Sequence, residues 1–139
     1  MTLSIRERLL AAITTAVGGV YAEPDPVDER DLPFTLVVDQ DETATQTYDT
    51  ITHKLPVSIV RITAATVEHS GAALRAQANE QLAQLMVSMH NGGDFSGLAT
   101  SPAEYTGGGT AVEAGQNVFA QADYIITYRT TRGNPYTQP

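Results

Sequence analysis

The longest regular alternation in this chain runs through residues 118–130. One side of it is apolar or aromatic throughout: Val118, Ala120, Ala122, Tyr124, Ile126 and Tyr128. The residues between them are of mixed character: Phe119, Gln121, Asp123, Ile125, Thr127 and Arg129. Because successive side chains point to opposite faces of a strand, this pattern predicts a long strand with one covered face.

Two segments have the spacing of amphipathic helices. In the first, Ser4 is placed to cap a helix that ends at Gly18-Gly19. Its apolar face comprises Ile5, Leu9, Ala12, Ile13, Ala16 and Val17. The second covers residues 71–89, before Asn91-Gly92-Gly93, and its apolar stripe, interpreted as core, comprises Leu74, Ala78, Leu82, Leu85, Met86 and Met89.

The remaining segments complete an α+β domain over residues 1–139. Apolar and β-branched residues predict a buried strand at 34–38, a Thr-rich edge strand at 43–54, a strand at 55–63 and a short one within 98–105. Pro56 fits the start of its strand or a bulge. Loops are expected at 22–32, which is acidic, and at 106–117, which is glycine-rich, followed by a loose tail at 132–139. We therefore expect a mixed or mostly antiparallel sheet of about four to five strands with both helices on one face.

The net charge of −8 is unevenly placed along the 139 residues. The segment 23–49 holds nine of the sixteen carboxylates and the single cation Arg30, so the rest of the chain is balanced. Such a segment repels a phosphate backbone, which argues against gripping nucleic acid through it. Two interpretations stay open: a solvated loop, or a surface that faces a basic partner or must not hold DNA.

The chain has no cysteine, no apolar run long enough for a membrane helix and no secretory signal pattern. These features predict a protein made in the cytoplasm, stabilised by packing or association rather than by disulfides.

No segment carries a recognisable catalytic, metal or cofactor motif. His53, His69 and His90 are interpreted as structural or surface histidines, since no serine sits in a nucleophile turn. The carboxylates from Asp39 onward resemble a calcium loop, but Ala44 stands where glycine is required and the twelfth position holds no glutamate. A weak divalent cation site there stays an alternative. We expect no enzymatic activity and no cofactor.

Four segments of the chain can be compared with known families. The closing residues 124–136 read YIITYRTTRGNPY, and the others are IRERLLAAI at 5–13, LPFTLVVD at 32–39 and LPVSIVRI at 55–62. In this order the four segments resemble those of phage tail-terminator and related minor tail proteins, with Asn134 where the family commonly has Asp.

This resemblance implies a structural virion protein that is assembled in the host cytoplasm. Its subunits, expected to number six, would form a ring at the head-proximal end of the tail tube, end tube growth and present a docking surface to the neck. The implied partners are further copies of the chain, the tail tube protein and a head-completion protein, with DNA only passing through the channel and no membrane. Two alternatives are a neck protein and, from another class, a small ligand-binding or enzymatic α+β domain.

Two sets of residues are candidates for these contacts. The acidic set, expected to face the channel or the tube, comprises Asp39, Asp41, Glu42 and Asp49. The set expected at subunit or partner interfaces comprises Tyr48, Tyr105, Gly107, Gly108, Gly109, Arg129, Arg132 and Tyr136.

Overall fold

The computed structural model describes residues 2–21, 33–65, 71–113 and 117–139, and the predicted acidic loop 22–32 lies outside the described residues. Within these residues the chain forms two helices and six strands. They are α1 (Ile5–Val17), β1 (Val20–Tyr21), β2 (Phe34–Asp39), β3 (Thr43–Gln46), β4 (Thr50–Ala64), α2 (Gly71–Asn91), β5 (Glu104–Val112) and β6 (Asn117–Thr131).

The six strands form one mixed sheet in the order β1-β2-β4-β6-β5, and β3 pairs with β4 beyond the end of β2. All pairs are antiparallel except β1 with β2. The centre is the 15-residue pair β4–β6, in register from Thr50 opposite Thr131 to Ala64 opposite Asn117. The predicted α+β class is confirmed, with one strand more than the upper expectation.

Both helices cover the same face of the sheet, as predicted. Ser4 caps α1 by accepting a hydrogen bond from the Glu7 amide at 3.2 Å, and Gly18 ends it in the left-handed region at φ 67°. The alternating side of β6 identified in the sequence is buried against the helices. Among the fully buried core side chains are Ile5, Leu9, Ile13, Val37, Leu55, Ile59, Leu85, Met89 and Ile126.

A β-bulge joins β2 and β3 into one line along β4. Asp39 pairs with Val57 and Thr43 pairs with Lys54, so three residues of one line lie opposite two of the other. Because of the extra residue, the odd-numbered residues of β2 face the helices, whereas in β3 the even-numbered residues do. Asp39 and Glu42 consequently both point to the helix-covered face.

The predicted strands 43–54 and 55–63 are divided differently in the structure. A turn at 47–49 ends β3, and β4 then runs unbroken from Thr50 through Pro56. Proline is tolerated inside this strand because its N side faces the bulge, where the Pro56 carbonyl accepts a hydrogen bond from the Gln40 amide at 2.9 Å. Pro56 therefore lies opposite a bulge, although the extra residue of that bulge belongs to the neighbouring β2–β3 line.

The predicted glycine-rich loop 106–117 was wrong over most of its length, because residues 104–112 form β5. Composition suggested a flexible segment, but the backbone hydrogen bonds to β6 supply the order that the side chains do not. The strand expected within 98–105 instead begins at Glu104, after a series of turns in which Phe95 is buried.

One member of the predicted α2 stripe is misplaced. Met86 is 37% exposed, whereas Leu74, Ala78, Leu85 and Met89 are buried and Leu82 is half-buried. The covered face of α2 is therefore narrower than the sequence pattern indicated, and an apolar side chain remains at its margin.

Candidate interaction surfaces

The four predicted acidic residues fall into two environments. Asp39 and Glu42 lie under α1, where the Arg6 guanidinium forms an ion pair with each of them. Asp41 and Asp49 are exposed. The bulge causes this division, because it turns the side chains on both of its sides toward the helix.

The Glu42 carboxylate is the centre of the larger network. Besides Arg6, it contacts Nδ1 of His53 and accepts a hydrogen bond from the Tyr128 hydroxyl at 2.7 Å. The imidazole of His53 stacks on the Tyr128 ring with centroids 4.4 Å apart, and its Nε2 lies 2.8 Å from the Thr130 hydroxyl. Asp39 in turn accepts a hydrogen bond from the Tyr21 hydroxyl at 3.0 Å.

These contacts change the proton affinities of the network. Burial acts to raise the pKa of Glu42, but hydrogen bonds from Tyr128, His53 and Arg6 outweigh it and lower that pKa. For Asp39, burial is likewise outweighed, chiefly by the Arg6 hydrogen bond, and its pKa is also lowered. Burial acts to lower the pKa of Arg6, but the contacts with the two carboxylates outweigh it and raise that pKa. For Tyr128, burial and the hydrogen bond to Glu42 both raise the pKa of the hydroxyl.

The network fastens α1 to the β2–β3 line and to β6. Each charged member has an opposite charge or a hydroxyl as its neighbour, and no buried side-chain nitrogen or oxygen in the described part of the chain lacks a hydrogen-bond partner. Asp39 and Glu42 therefore stabilise the fold, which leaves Asp41 and Asp49 as the members of the predicted acidic set that face solvent.

The β3–β4 hairpin projects at one end of the sheet and carries Tyr48, whose side chain is 93% exposed. The turn is closed by a hydrogen bond from the Thr47 amide to the Thr50 carbonyl at 2.8 Å. Arg132 lies beside it: its amide donates to the Asp49 carbonyl at 2.8 Å, and its guanidinium to the Tyr48 carbonyl at 3.4 Å. We call the turn at residues 47–49, together with Arg132, the hairpin end.

Arg129 belongs to the same end of the molecule. It is exposed and lies opposite Thr52, on the face of the sheet that no described helix covers, with Lys54 near it on the same face. Three of the eight cations of the chain, counting Arg132, are thus found around the hairpin end.

The C-terminal segment, expected to be a loose tail, makes hydrogen bonds to the body of the protein. The Ile5 amide donates to the Pro135 carbonyl at 3.0 Å, and Arg8 donates to the Tyr136 carbonyl at 3.0 Å. Gln138 donates to the Gly97 carbonyl at 2.7 Å. The Tyr136 ring is nevertheless 49% exposed, so this segment presents an aromatic surface from a fixed position.

The edge strand β5 contains the other predicted contact residues. Tyr105 is 42% exposed and packs edge-to-face against Tyr124, with ring centroids 5.5 Å apart. A side chain at Gly108 would meet the Tyr105 hydroxyl and the Gln121 carbonyl, whereas Gly107 and Gly109 have open space around them. We call residues 105–109 with their outer surface the β5 edge.

A cleft between the sheet and α2 bears on the ligand-binding alternative. It has a volume of about 490 Å³, and its described lining contains no carboxylate and no histidine: Gly18, Pro33, Thr35, Arg61, Thr63, Ala64, Gln77, Gln81 and Gln84. The Arg61 guanidinium donates to the Thr35 hydroxyl at 2.9 Å and to the Val17 carbonyl at 3.3 Å, which supports the C-terminus of α1. The carboxylates with shifted pKa values lie elsewhere, in the Arg6 network.

Sequence reasoning did not identify Arg6, His53 and Tyr128 as partners of the acidic residues. The three are distant in sequence, and their meeting depends on the bulge, for which the sequence offers only the unusual position of Pro56. It also missed β1, whose Val20 and Tyr21 are both exposed.

Among the residues that the structure describes, no three histidine or acidic side chains are close enough together to hold a metal ion. Neither described helix has an apolar stretch that could cross a bilayer. Comparison of the chain with protein-family models finds no match, and comparison with curated proteins finds none either.

Proposed function

We propose that this chain is a structural subunit of a ring at the head-proximal end of a long phage tail, where it ends tube growth and offers a docking surface to the neck. The observation that carries the proposal is the grouping of its exposed residues into two unlike surfaces. The hairpin end lies at one end of the strands, and the β5 edge lies at one side of the sheet.

Two unlike surfaces are what a ring that stacks on a tube requires. Neighbours around a ring meet through heterologous contacts, for which the side of a sheet is suited because its backbone groups are unpaired. Contacts to the tube or neck are made along the ring axis and need a separate surface. Exposed tyrosine and arginine, both present at the hairpin end, are enriched where binding energy concentrates.

The acidic character of the chain supports passage of DNA through the ring. Asp41 and Asp49 are exposed near the hairpin, while Asp39 and Glu42 share the single positive charge of Arg6 and contribute less to the outward field. Carboxylates facing a channel repel the phosphate backbone and so keep the DNA from being held there. Within this proposal the protein resides in the virion, after assembly in the host cytoplasm.

Tail length is the measurement that tests the function. In the virus that encodes the chain, removal of its gene should give tubes of uncontrolled length in negatively stained lysates, and the gene supplied in trans should restore a single length. Tails of normal length that fail to join heads would instead identify a neck protein. Normal, infectious particles would overturn both assignments.

A measurement in solution tests ring formation separately. Light scattering of the purified chain across concentration should reach a mass six times the 14.8 kDa of one copy. A smaller closed assembly would change the ring size but not the role.

A further inference from the structure

The two outermost strands, β1 and β5, are connected by the same rows of paired residues across the sheet. Following the residue pairing from strand to strand gives one continuous row: Val20, Leu36, Val60, Gln121 and Gly109. The adjacent row is Tyr21, Val37, Ile59, Ala122 and Gly108. Val20 and Tyr21 on one side therefore lie in the same two rows as Gly109 and Gly108 on the other.

The strands β1 and β5 also run in opposite directions. β1 is parallel to β2, and each further step, to β4, to β6 and to β5, reverses the direction. A second copy that continues the sheet beside β5 would therefore place its β1 antiparallel to β5. Because Val20 and Gly109 belong to the same row, this pairing carries the rows of the sheet into the next copy without a change of register.

The regular part of β5, residues 107–112, lacks the features that normally prevent strands from pairing. Edge strands are commonly protected by lysine, proline or a bulge. The irregularity in β5 lies between Tyr105 and Gly107, and the regular part that follows, 107–112, contains neither lysine nor proline. In the part of the chain that the structure describes, no strand pairs with the outer side of β5 or of β1.

On the helix-free face, the two sides have complementary shapes. Val20 is 42% exposed and, like its pair Leu36, lies on this face. At the opposite side, a groove on the same face runs over β5 because Gly109 has no side chain, and its lining includes Val60, Phe119, Gln121 and Asp123. A valine from a neighbouring strand would fill space that this chain leaves open.

On the helix-covered face, apolar side chains are exposed on both sides. Tyr21 is 44% exposed and borders a shallow pocket of about 460 Å³ lined also by Leu3, Glu7, Ala11 and Thr14. At the other side, Tyr105 is 42% exposed and Met86 is 37% exposed. Two copies placed side by side would bring α1 of one next to α2 of the other and remove these side chains from water.

We propose that β1 of one copy pairs antiparallel with β5 of the next, with Val20 opposite Gly109 and Tyr21 opposite Gly108. The sheet then continues from subunit to subunit around the ring. This inference rests on the proposed function and names the lateral contact through which its subunits meet.

Engineered cysteines give a direct test, because the chain has none of its own. Residues opposite one another in an antiparallel pair have Cα atoms about 4.5–5.5 Å apart, within disulfide reach. The full chain with both Val20→Cys and Gly109→Cys should form a ladder of disulfide-linked multimers on mild oxidation, whereas either single variant should not. A variant with Val20→Cys and Glu113→Cys is the off-register control and should remain largely uncross-linked.

The outcomes separate this contact from the function. Disulfide-linked dimers from Gly109→Cys alone would place β5 beside β5 about a two-fold axis and overturn the proposal. Absence of the 20–109 linkage, whether the chain forms rings or stays monomeric at high concentration, would also overturn it. Neither result bears on tail-length control, which is measured by removing the gene.

A charge placed in the contact gives a second test that needs no oxidation. Val20→Asp should weaken association in light scattering at least tenfold, because it would bring a second carboxylate into a groove whose lining already includes Asp123. Val87→Asp, which makes the same change on α2 at a side chain that is 58% exposed, is the matched control and should leave association unchanged. Circular dichroism should show both variants folded, since both side chains are exposed. Unchanged association of Val20→Asp would contradict the proposed contact.

Discussion

The two sides of the sheet are stabilised in different ways. The β2–β3 line is fastened to α1 by the ion pairs of Arg6 with Asp39 and Glu42. β5, by contrast, is held by its backbone pairing to β6 and by few side chains, since three of its nine residues are glycine. We call the β2–β3 side, with its ion pairs, the charged side, and the β5 side the glycine side. The ion pairs of the charged side fix the position of α1 above the sheet. On the glycine side, the missing side chains leave the surface of β5 uncovered.

The largest expected effect lies on the charged side. Arg6→Met keeps the apolar stem but leaves Asp39 and Glu42 without their cation, which should cost about 2–4 kcal/mol because partly buried charges lose their partner. Urea unfolding at neutral pH measures it. Arg8→Met, on the exposed side of α1, is the control, with an expected loss of about 0.5 kcal/mol. Equal losses in both variants would show that the network does not stabilise the fold.

On the glycine side, two neighbouring positions should respond with opposite signs. A methyl group at Gly108 would lie 2.8 Å from the Gln121 carbonyl oxygen, so Gly108→Ala should destabilise by about 1–3 kcal/mol. Nothing lies within 4 Å of the same position at Gly109, and its φ is not positive. Gly109→Ala should therefore be stabilising by about 0.4–1 kcal/mol through the unfolded chain.

Thermal unfolding of these two variants against the parent chain measures the difference. If Gly108→Ala were as stable as Gly109→Ala, β5 would be able to move away from β6. The close approach of Gly108 to the Gln121 carbonyl would then not limit the stability of the variant.

The pH dependence of stability should come from the charged side. The pKa values of Asp39 and Glu42 are lowered in the folded protein, so their contribution is fully present above the ordinary values of 3.8 and 4.5 and is lost as the pH falls through the lowered ones. Unfolding free energy should therefore decrease progressively below about pH 4.5.

Two substitutions separate this effect from general acidity. Glu42→Gln should cost about 1–2 kcal/mol at pH 7 and flatten the acid decline, because one of the two carboxylates no longer titrates. Asp41→Asn, in the exposed position next to it, should leave both the stability and the slope close to those of the parent chain. Urea midpoints from pH 3 to 7 give both the stability and its dependence on pH. If this dependence were identical in the parent chain and both variants, Glu42 would be excluded as a source of the acid decline in stability.

The smallest effect on stability is expected at the hairpin end. Tyr48→Ser should change the unfolding free energy by less than about 0.5 kcal/mol, since the ring is 93% exposed. Within the proposed function, the same substitution should reduce complementation of a gene deletion, scored by tail length and infectivity. Full complementation would remove Tyr48 from the docking surface.

Local patterns in the sequence were sufficient for the elements that bury one regular face. The cap at Ser4, the ending at Gly18 and the alternation of β6 were all predicted correctly, because each depends on residues close together in sequence. The buried faces of the helices and of β6 were also predicted from these patterns, with Met86 as the exception.

What escaped prediction depends on distant residues or on the backbone alone. β5 could not be recognised because its glycines show no alternation, and its order comes from pairing with β6. The Arg6 network required the bulge, which exists only where the β2–β3 line and β4 differ in length by one residue. The contact role of the candidate residues stays a prediction, although the structure does show which of them are exposed.

Residues 40–42 are also where this strand can change its length. A one-residue deletion inside β2 or β3 shifts the residues on one side of the cut and turns their side chains to the other face. Within the bulge, the same deletion leaves Val37 and Ala44 facing the helices as before and removes only the unpaired residue. A variant lacking Asp41 should therefore keep both flanking strands with their present faces, so this is the point at which the chain tolerates a change in length.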